Sequence, residues 1–259
     1  MALTYGNYLA LDQLLSAQRP LSDGPEHDET LFIIIHQVYE LWFKQILHEA
    51  RRLQVALESG DTHHALATLR RILTIFKTLV AQVDILETMT PMSFNSFRER
   101  LDTASGFESA QFRRVEFVLG HKRDSVLRHY PADSAERAAL QQDLEARTVW
   151  DAFLTYLARQ GFAVPAALLA RDVRLPVEPS EALQAVLLRA YRSDALVSQV
   201  CERLVDLDEG LQEWRYRHVK MVERTIGHKP GTGGSPGAAY LAATIKPFFP
   251  DLWEIRSQL

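Results

Sequence analysis

Cysteine is almost absent: Cys201 is the one thiol in 259 residues. A lone thiol excludes an intramolecular disulfide and gives no pointer to secretion. Long apolar runs are missing too. The densest, residues 31–35, is far short of the ~20 residues that span a bilayer. Neither sign of charge dominates: the net formal charge is -4, with acidic and basic residues interspersed. That gives no argument for nucleic acid or an anionic membrane surface as a partner. The start, MALTYGNYLALDQLL, lacks the basic region and apolar run of a signal peptide. A reducing cytoplasm is therefore the expected location. No run alternates apolar and polar side chains, so strands are not expected. There is no internal repeat, no low-complexity segment, and no linker long or polar enough to mark a domain boundary.

What is present is helical periodicity, with an apolar content of 47% that can bury a substantial core. Thr4 is expected to cap a short helix carrying Tyr5, Tyr8, Leu9 and Asp12. Residues 20–27 hold turn chemistry, and Asp28 reads as the N-cap of a long helix ending near Ser59 and Gly60. Its stripe is Phe32, His36, Tyr39, Phe43, Leu47, Ala50 and Leu53. It is apolar all round at residues 33–35, which predicts that it is surrounded there. Asp61 opens a second long helix that stops before Pro91. Short helices are expected over residues 92–101 and 107–120, the latter ending at Gly120. Shorter pieces and Pro165, Pro176 and Pro179 fill residues 121–180. Two helices follow, over residues 180–192 and 194–226. Gly210 interrupts the second, at a cost of about 1 kcal/mol relative to alanine. The C-terminal residues are helical with two proline breaks. The pattern predicts an all-α chain, one domain over residues 1–259, packed as a bundle of long helices.

Residues 211–237, LQEWRYRHVKMVERTIGHKPGTGGSPG, organise the rest. Leu204, Leu207, Leu211, Trp214, His218, Val222 and Thr225 share one helix face. A histidine on such a face is a core residue with a partner or an axial ligand to a flat apolar cofactor. The glycine-rich loop after it contains a G-x-S-x-G match, but a helix precedes the serine and Pro236 follows it. Pro236 has no N–H to give an oxyanion hole, so a serine hydrolase is excluded. The dinucleotide fingerprint and the P-loop fail on register and on the missing Gly-Lys-Ser/Thr. What remains is a loop presenting Thr232 and several backbone N–H groups, as a C-cap connection or as a binding loop.

His36 and His218 are each central to one of the longest helices, and a bundle interior is where facing helices build a cofactor site. Neither belongs to an H-x-x-x-H, H-E-x-x-H or E-x-x-H pattern, which leaves no two-ligand site of those kinds on one helix. Arg98 has Phe94 one turn before it. It is a solvated arginine, or a guanidinium at the rim of an apolar pocket that takes a carboxylate bidentately.

Several stretches together carry a resemblance: HQVYELW (36–42), ETMTPMSFNSFRERL (87–101), SGFESAQFR (105–113), WRYRH (214–218) and GTGGSPG (231–237), with LTYGNYLALDQLL before and FFPDLWEIR after. In this order they resemble the tryptophan 2,3-dioxygenase family along nearly the whole chain. The resemblance implies an all-helical fold enclosing haem b, active with ferrous iron, in homotetramers built as a dimer of dimers. It implies addition of both atoms of O₂ across the indole C2–C3 bond of L-tryptophan, giving N-formyl-L-kynurenine, which opens the kynurenine route of tryptophan breakdown.

Residue by residue, His218 would be the axial ligand of the haem iron and His36 the distal residue facing the indole N–H. Arg98 would hold the substrate carboxylate. Thr232 would contact its ammonium and carboxylate, and Phe32 and Phe94 would wall the pocket. Ser105 and Gly106 would lie against the cofactor. Tyr5, Tyr8 and Leu9, in a 1–20 arm, would reach a neighbouring subunit's site. The sequence departs from the family pattern by starting almost at LTYGNYL, and at His228, Pro230 and Pro236. Another haem oxygenase acting on a related aromatic amino acid, or a haem sensor without turnover, are the competing readings. A sensor needs no amino-acid clamp of the Arg98 and Thr232 kind.

Overall fold

The computed structural model describes residues 2–24, 26–102, 104, 106–231 and 237–259, the side chains of Phe107 and Ala239 excepted. No strand occurs among the described residues, and the chain is all-α as the periodicity predicts.

Three long helices, over His27–Ser59, Thr62–Leu86 and Ala195–Ile226, frame the molecule. α1 (Tyr5–Tyr8) and α2 (Leu11–Leu15) form the arm. Thr4 caps α1 with a full capping box, but Ala10 turns into the left-handed region (φ 52°) and separates Asp12 from the first helix. α3 (His27–Ser59) starts one residue before the expected Asp28 cap. The reason is Glu29. Its buried carboxylate accepts the backbone N–H groups of Leu21 (2.6 Å) and Ser22 (3.1 Å), folding the preceding loop back over the first turn. Asp28 sits within that turn, where negative charge suits the helix N-terminus. Gly60 closes α3 in the left-handed region (φ 81°), and Asp61 caps α4 (Thr62–Leu86) by accepting the N–H of His64 at 3.1 Å. Glycine followed by a capping aspartate makes a tight antiparallel hairpin.

After α4 come α5 (Pro91–Arg98), a 3-10 turn over Glu99–Leu101 and another over Gly106–Glu108. α6 (Ala110–Leu119) starts later than the expected residue 107, because Ser109 caps it through the N–H of Phe112. α7 (Ala135–Glu145), α8 (Val149–Arg159), the short α9 (Ala166–Leu169) and α10 (Glu181–Ser193) follow. α11 (Ala195–Ile226) is continuous through Gly210, contrary to the expected interruption. A Cβ at Gly210 would stand 2.9 Å from Leu73 Cδ1. The missing side chain lets α4 lie close, so packing offsets the glycine's helix penalty. α12 (Ala238–Ala243) and α13 (Pro250–Glu254) end the chain.

α4 packs against both α3 and α11. α5 touches α3 and α11, α6 lies on α3, and α12 lies on α11. The main core runs from Ile35 to Ile255, with fully buried Phe76, Phe97, Leu53 and Leu69 among its members. Each such side chain contributes roughly 2–3 kcal/mol by burial. A smaller cluster of Phe117, Leu127, Tyr130 and Leu140 joins α6 to α7. The expectation that α3 is surrounded at residues 33–35 fails within the chain: Ile34 is 41% exposed. Among the described residues, no helix is long and apolar enough to cross a membrane.

The C-terminal segment is pinned across α11. Buried Asp208 accepts the N–H groups of Phe248 (2.9 Å) and Phe249 (3.0 Å) and the indole N–H of Trp253 (3.0 Å). His121 Nε2 donates to the Pro247 carbonyl (3.1 Å), and its ring stacks on Phe248 with centroids 3.8 Å apart. Burial, with the positive charge of Arg215, pushes His121 down to about 4 from its ordinary 6.5. The unfolded chain therefore takes up a proton between pH 6.5 and 4 that the folded chain refuses, so this contribution to stability is lost as pH falls through that window. Between pH 7 and 5 the loss is on the order of 2 kcal/mol. His121→Gln should lose correspondingly less stability over that interval, read from urea midpoints at the two pH values. Parallel losses in both proteins would contradict it.

Candidate active site

α3, α4, α5, α6, α11 and α12 enclose a cavity of about 230 Å³. Its walls are largely aromatic and aliphatic: Phe32, Phe43, Phe94, Phe112, Trp214 and Met221 all line it. His36 and His218, on different helices, line this same cavity, with Arg98 and Gly106. The two stripes that the sequence set on separate helices meet here.

His36 is held from its own helix. Its Nδ1 donates to the Phe32 carbonyl one turn back, at 2.7 Å, and its ring lies 4.1 Å from that of Phe32. A carbonyl only accepts, so the proton sits on Nδ1 and the neutral ring keeps Nε2 as an acceptor. Burial pushes the pKa of His36 below the ordinary value, against the Phe32 carbonyl and Glu40, which favour the charged ring. Phe32 in turn packs on Phe94 (5.8 Å) and Phe97 (5.6 Å), joining α3 to α5.

His218 differs. Among the described residues it makes no hydrogen bond, and its ring stacks on Trp214 with centroids 5.5 Å apart and planes 16° apart. Burial, then electrostatic interaction with His36 and with the positive Arg215, push it down to about 4. An imidazole with uncommitted nitrogens on an apolar wall is the donor that axial iron ligation needs. Polar groups on such a wall are otherwise partnered. The residues present thus fit a haem. No cluster of three or more His, Cys, Asp or Glu suited to a bare metal ion occurs among the described residues.

Arg98 ends α5 at the cavity rim. Its Nη2 donates to the Pro230 carbonyl at 2.7 Å, tying α5 to the segment that follows α11. One of its five N–H donors is used there. Deeper in the wall, Glu116 takes Arg215 Nη2 (2.6 Å), Arg113 Nη1 (2.8 Å) and Arg123 Nη2 (2.8 Å). Burial would push the Glu116 carboxyl up, but the three guanidiniums hold it below the usual range. Arg215 also donates to the Thr244 carbonyl, fastening the segment after α12 to the wall.

A family model described as tryptophan 2,3-dioxygenase matches residues 1–148 and 132–259. The chain belongs to the tryptophan 2,3-dioxygenase family. It is 61% identical over 259 residues to the tryptophan 2,3-dioxygenase of Herpetosiphon aurantiacus, covering 100% of this chain and 99% of that one. It is 59% identical to the enzyme of that name from Anaeromyxobacter dehalogenans (100% and 97% covered), and 45% identical to that from Caulobacter vibrioides (99% and 98%).

Of the residues marked by resemblance to this family, His36, Phe32, Phe94, Arg98, Gly106 and His218 share the cavity. Thr232, Ser105 and Pro236 lie outside the described residues. Tyr5, Tyr8 and Leu9 do not line the cavity and are exposed at 77%, 72% and 41%. Sequence reasoning did not single out Glu40, Ser109, Arg113, Arg215 or Tyr240, all of which line it. For Glu40 and Arg215 a signal existed: they stand one helical turn from His36 and His218, on the same faces.

Proposed function

We propose that this chain is a haem-dependent dioxygenase that converts L-tryptophan and O₂ to N-formyl-L-kynurenine, the first step of tryptophan degradation. The observation that carries the reading is the meeting of His36, His218 and Arg98 around one apolar cavity in a chain of this family. His218 would be the axial ligand of haem b. Ferrous haem b, when bound, would supply binding and activation of O₂.

The chain's own residues would do the rest. Arg98 would take the tryptophan carboxylate, and Thr232, on the strength of the family resemblance, its ammonium and carboxylate. Fixing the amino-acid end leaves the indole to lie along Phe32 and Phe94 beside His36, so orientation supplies much of the rate. His36, neutral with Nε2 bare, would accept the indole N–H as a hydrogen bond and hold the ring in register. An indole N–H is too weak an acid for His36 to need to remove its proton. The largely aromatic and aliphatic walls would exclude water from the reacting centre. Both oxygen atoms end in the product, so no reductant is consumed per turnover.

The same reading covers assembly: one domain over residues 1–259, in a cytoplasmic homotetramer arranged as a dimer of dimers. Tyr5, Tyr8 and Leu9 would complete a neighbour's site, which their exposure and their place outside this chain's cavity lining support. The test is anaerobic reduction of haem-loaded protein, addition of tryptophan and then O₂, and the absorbance of N-formylkynurenine. The expected result is one product per O₂ consumed, with no added reductant. Hydroxylated tryptophan, or a need for reductant or peroxide in each turnover, would overturn the proposal.

A further inference from the structure

Glu40 is the one acidic side chain lining the cavity among the described residues, and it stands one turn beyond His36 on α3. Its carboxylate is fully engaged away from α3. Oε1 accepts the Ser109 hydroxyl at 2.5 Å, and Oε2 accepts Gln111 Nε2 at 2.9 Å. The same Gln111 amide donates to the Glu40 backbone carbonyl at 2.9 Å. Ser109 is at once the N-cap of α6, accepting the Phe112 N–H at 3.1 Å. One carboxylate therefore fastens the turn after His36 to the first turn of α6. That turn carries Phe112 and follows Gly106, both of which line the cavity. Hydrogen bonds to a charged acceptor are shorter and stronger than neutral ones, so this anchor sets a spacing that apolar packing alone leaves adjustable.

We propose that Glu40 is a positioning residue that fixes the width of the slot between the His36 face of α3 and the start of α6, and so determines which indole rings fit. This rests on the reading above that tryptophan lies beside His36. A slot set by an anchor rejects added bulk on the ring, and a slot released from it does not.

The experiment compares wild type, Glu40→Ala, Gln111→Ala and the double variant, all haem-loaded, on tryptophan, 5-methyltryptophan and 6-methyltryptophan. Glu40→Ala is expected to keep the wild-type Soret band. Its KM for tryptophan should rise about 5- to 10-fold, the size of one lost hydrogen-bonded anchor. It should also discriminate several-fold less against at least one methylated substrate, with kcat for tryptophan changed less than KM. The double variant should lose less than the sum of the two single losses, because both break the Glu40–Gln111 side-chain bond; its extra loss over Glu40→Ala is the Gln111 bond to the Glu40 backbone carbonyl. Wild-type KM and wild-type discrimination in Glu40→Ala would overturn the proposal. So would a uniform loss on all three substrates tracking a lower Tm, which is the mark of general loosening. If wild type itself makes no N-formylkynurenine, the underlying reading falls first and the inference with it. If wild type is active and Glu40→Ala is indistinguishable from it, only the inference falls.

Discussion

His218→Ala is expected to purify folded but without haem, showing no Soret band after gel filtration. The fold should survive because His218 makes no hydrogen bond among the described residues, so its removal strands no buried partner. What is lost is a stack on Trp214 and surface already facing a cavity, on the order of 1 kcal/mol. Far-UV circular dichroism should therefore match wild type. Added imidazole should restore haem binding by filling the space with the same donor. His36→Ala is the control: it removes the other cavity histidine and should keep a Soret band, because its ring is committed to the Phe32 carbonyl and is assigned to substrate. Haem retained through gel filtration by His218→Ala, or lost equally from His36→Ala, would refute the assignment of the axial ligand.

The fold was legible in the sequence where a local rule acted alone. Gly60 and Asp61, Thr4 and Gly120 all sit at helix ends where their chemistry puts them. It was illegible where a distant partner decided. Glu29 moved the start of α3 by reaching back to Leu21 and Ser22. Gly210 stayed helical because Leu73 on another helix fills the space that a side chain would occupy. Periodicity could say that Ile34 is apolar, but not that the packing of the other helices leaves it 41% exposed.

The site divides in the same way. His36 and His218 stood out as polar residues on apolar stripes, a pattern open to two readings until the helices met. Glu116, Arg113, Arg123 and Arg215 form a buried network from three separate segments. Arg113 and Glu116 are an i,i+3 pair on α6, but no spacing rule joins Arg215, 99 residues along the chain, to them. The bridge from Glu40 to Ser109 and Gln111 crosses some seventy residues, and only the packing of α6 on α3 brings its ends together.

Arg98→Ala is expected to retain haem and lose tryptophan. Removing a guanidinium from a carboxylate forfeits a charge-assisted pair worth roughly 2–3 kcal/mol, or about 30- to 160-fold in affinity. The loss should fall on KM, and on Kd from tryptophan-induced shifts of the Soret band. The haem spectrum without tryptophan should be unchanged, since Arg98 lies at the rim and donates to the Pro230 carbonyl. That partner complicates the alanine variant, because the segment after α11 loses its tie to α5 at the same time. Arg98→Gln separates the two effects: a carboxamide still donates to Pro230 but carries no charge. If Arg98 binds the carboxylate, Arg98→Gln should be nearly as impaired as Arg98→Ala. Arg98→Lys should recover part of the affinity through its charge, without the two-pronged geometry. Tryptamine, which lacks the carboxylate, should bind wild type and Arg98→Ala alike. If Arg98→Gln binds tryptophan as wild type does, Arg98 serves the loop and not the substrate, and the clamp must be sought elsewhere on the rim.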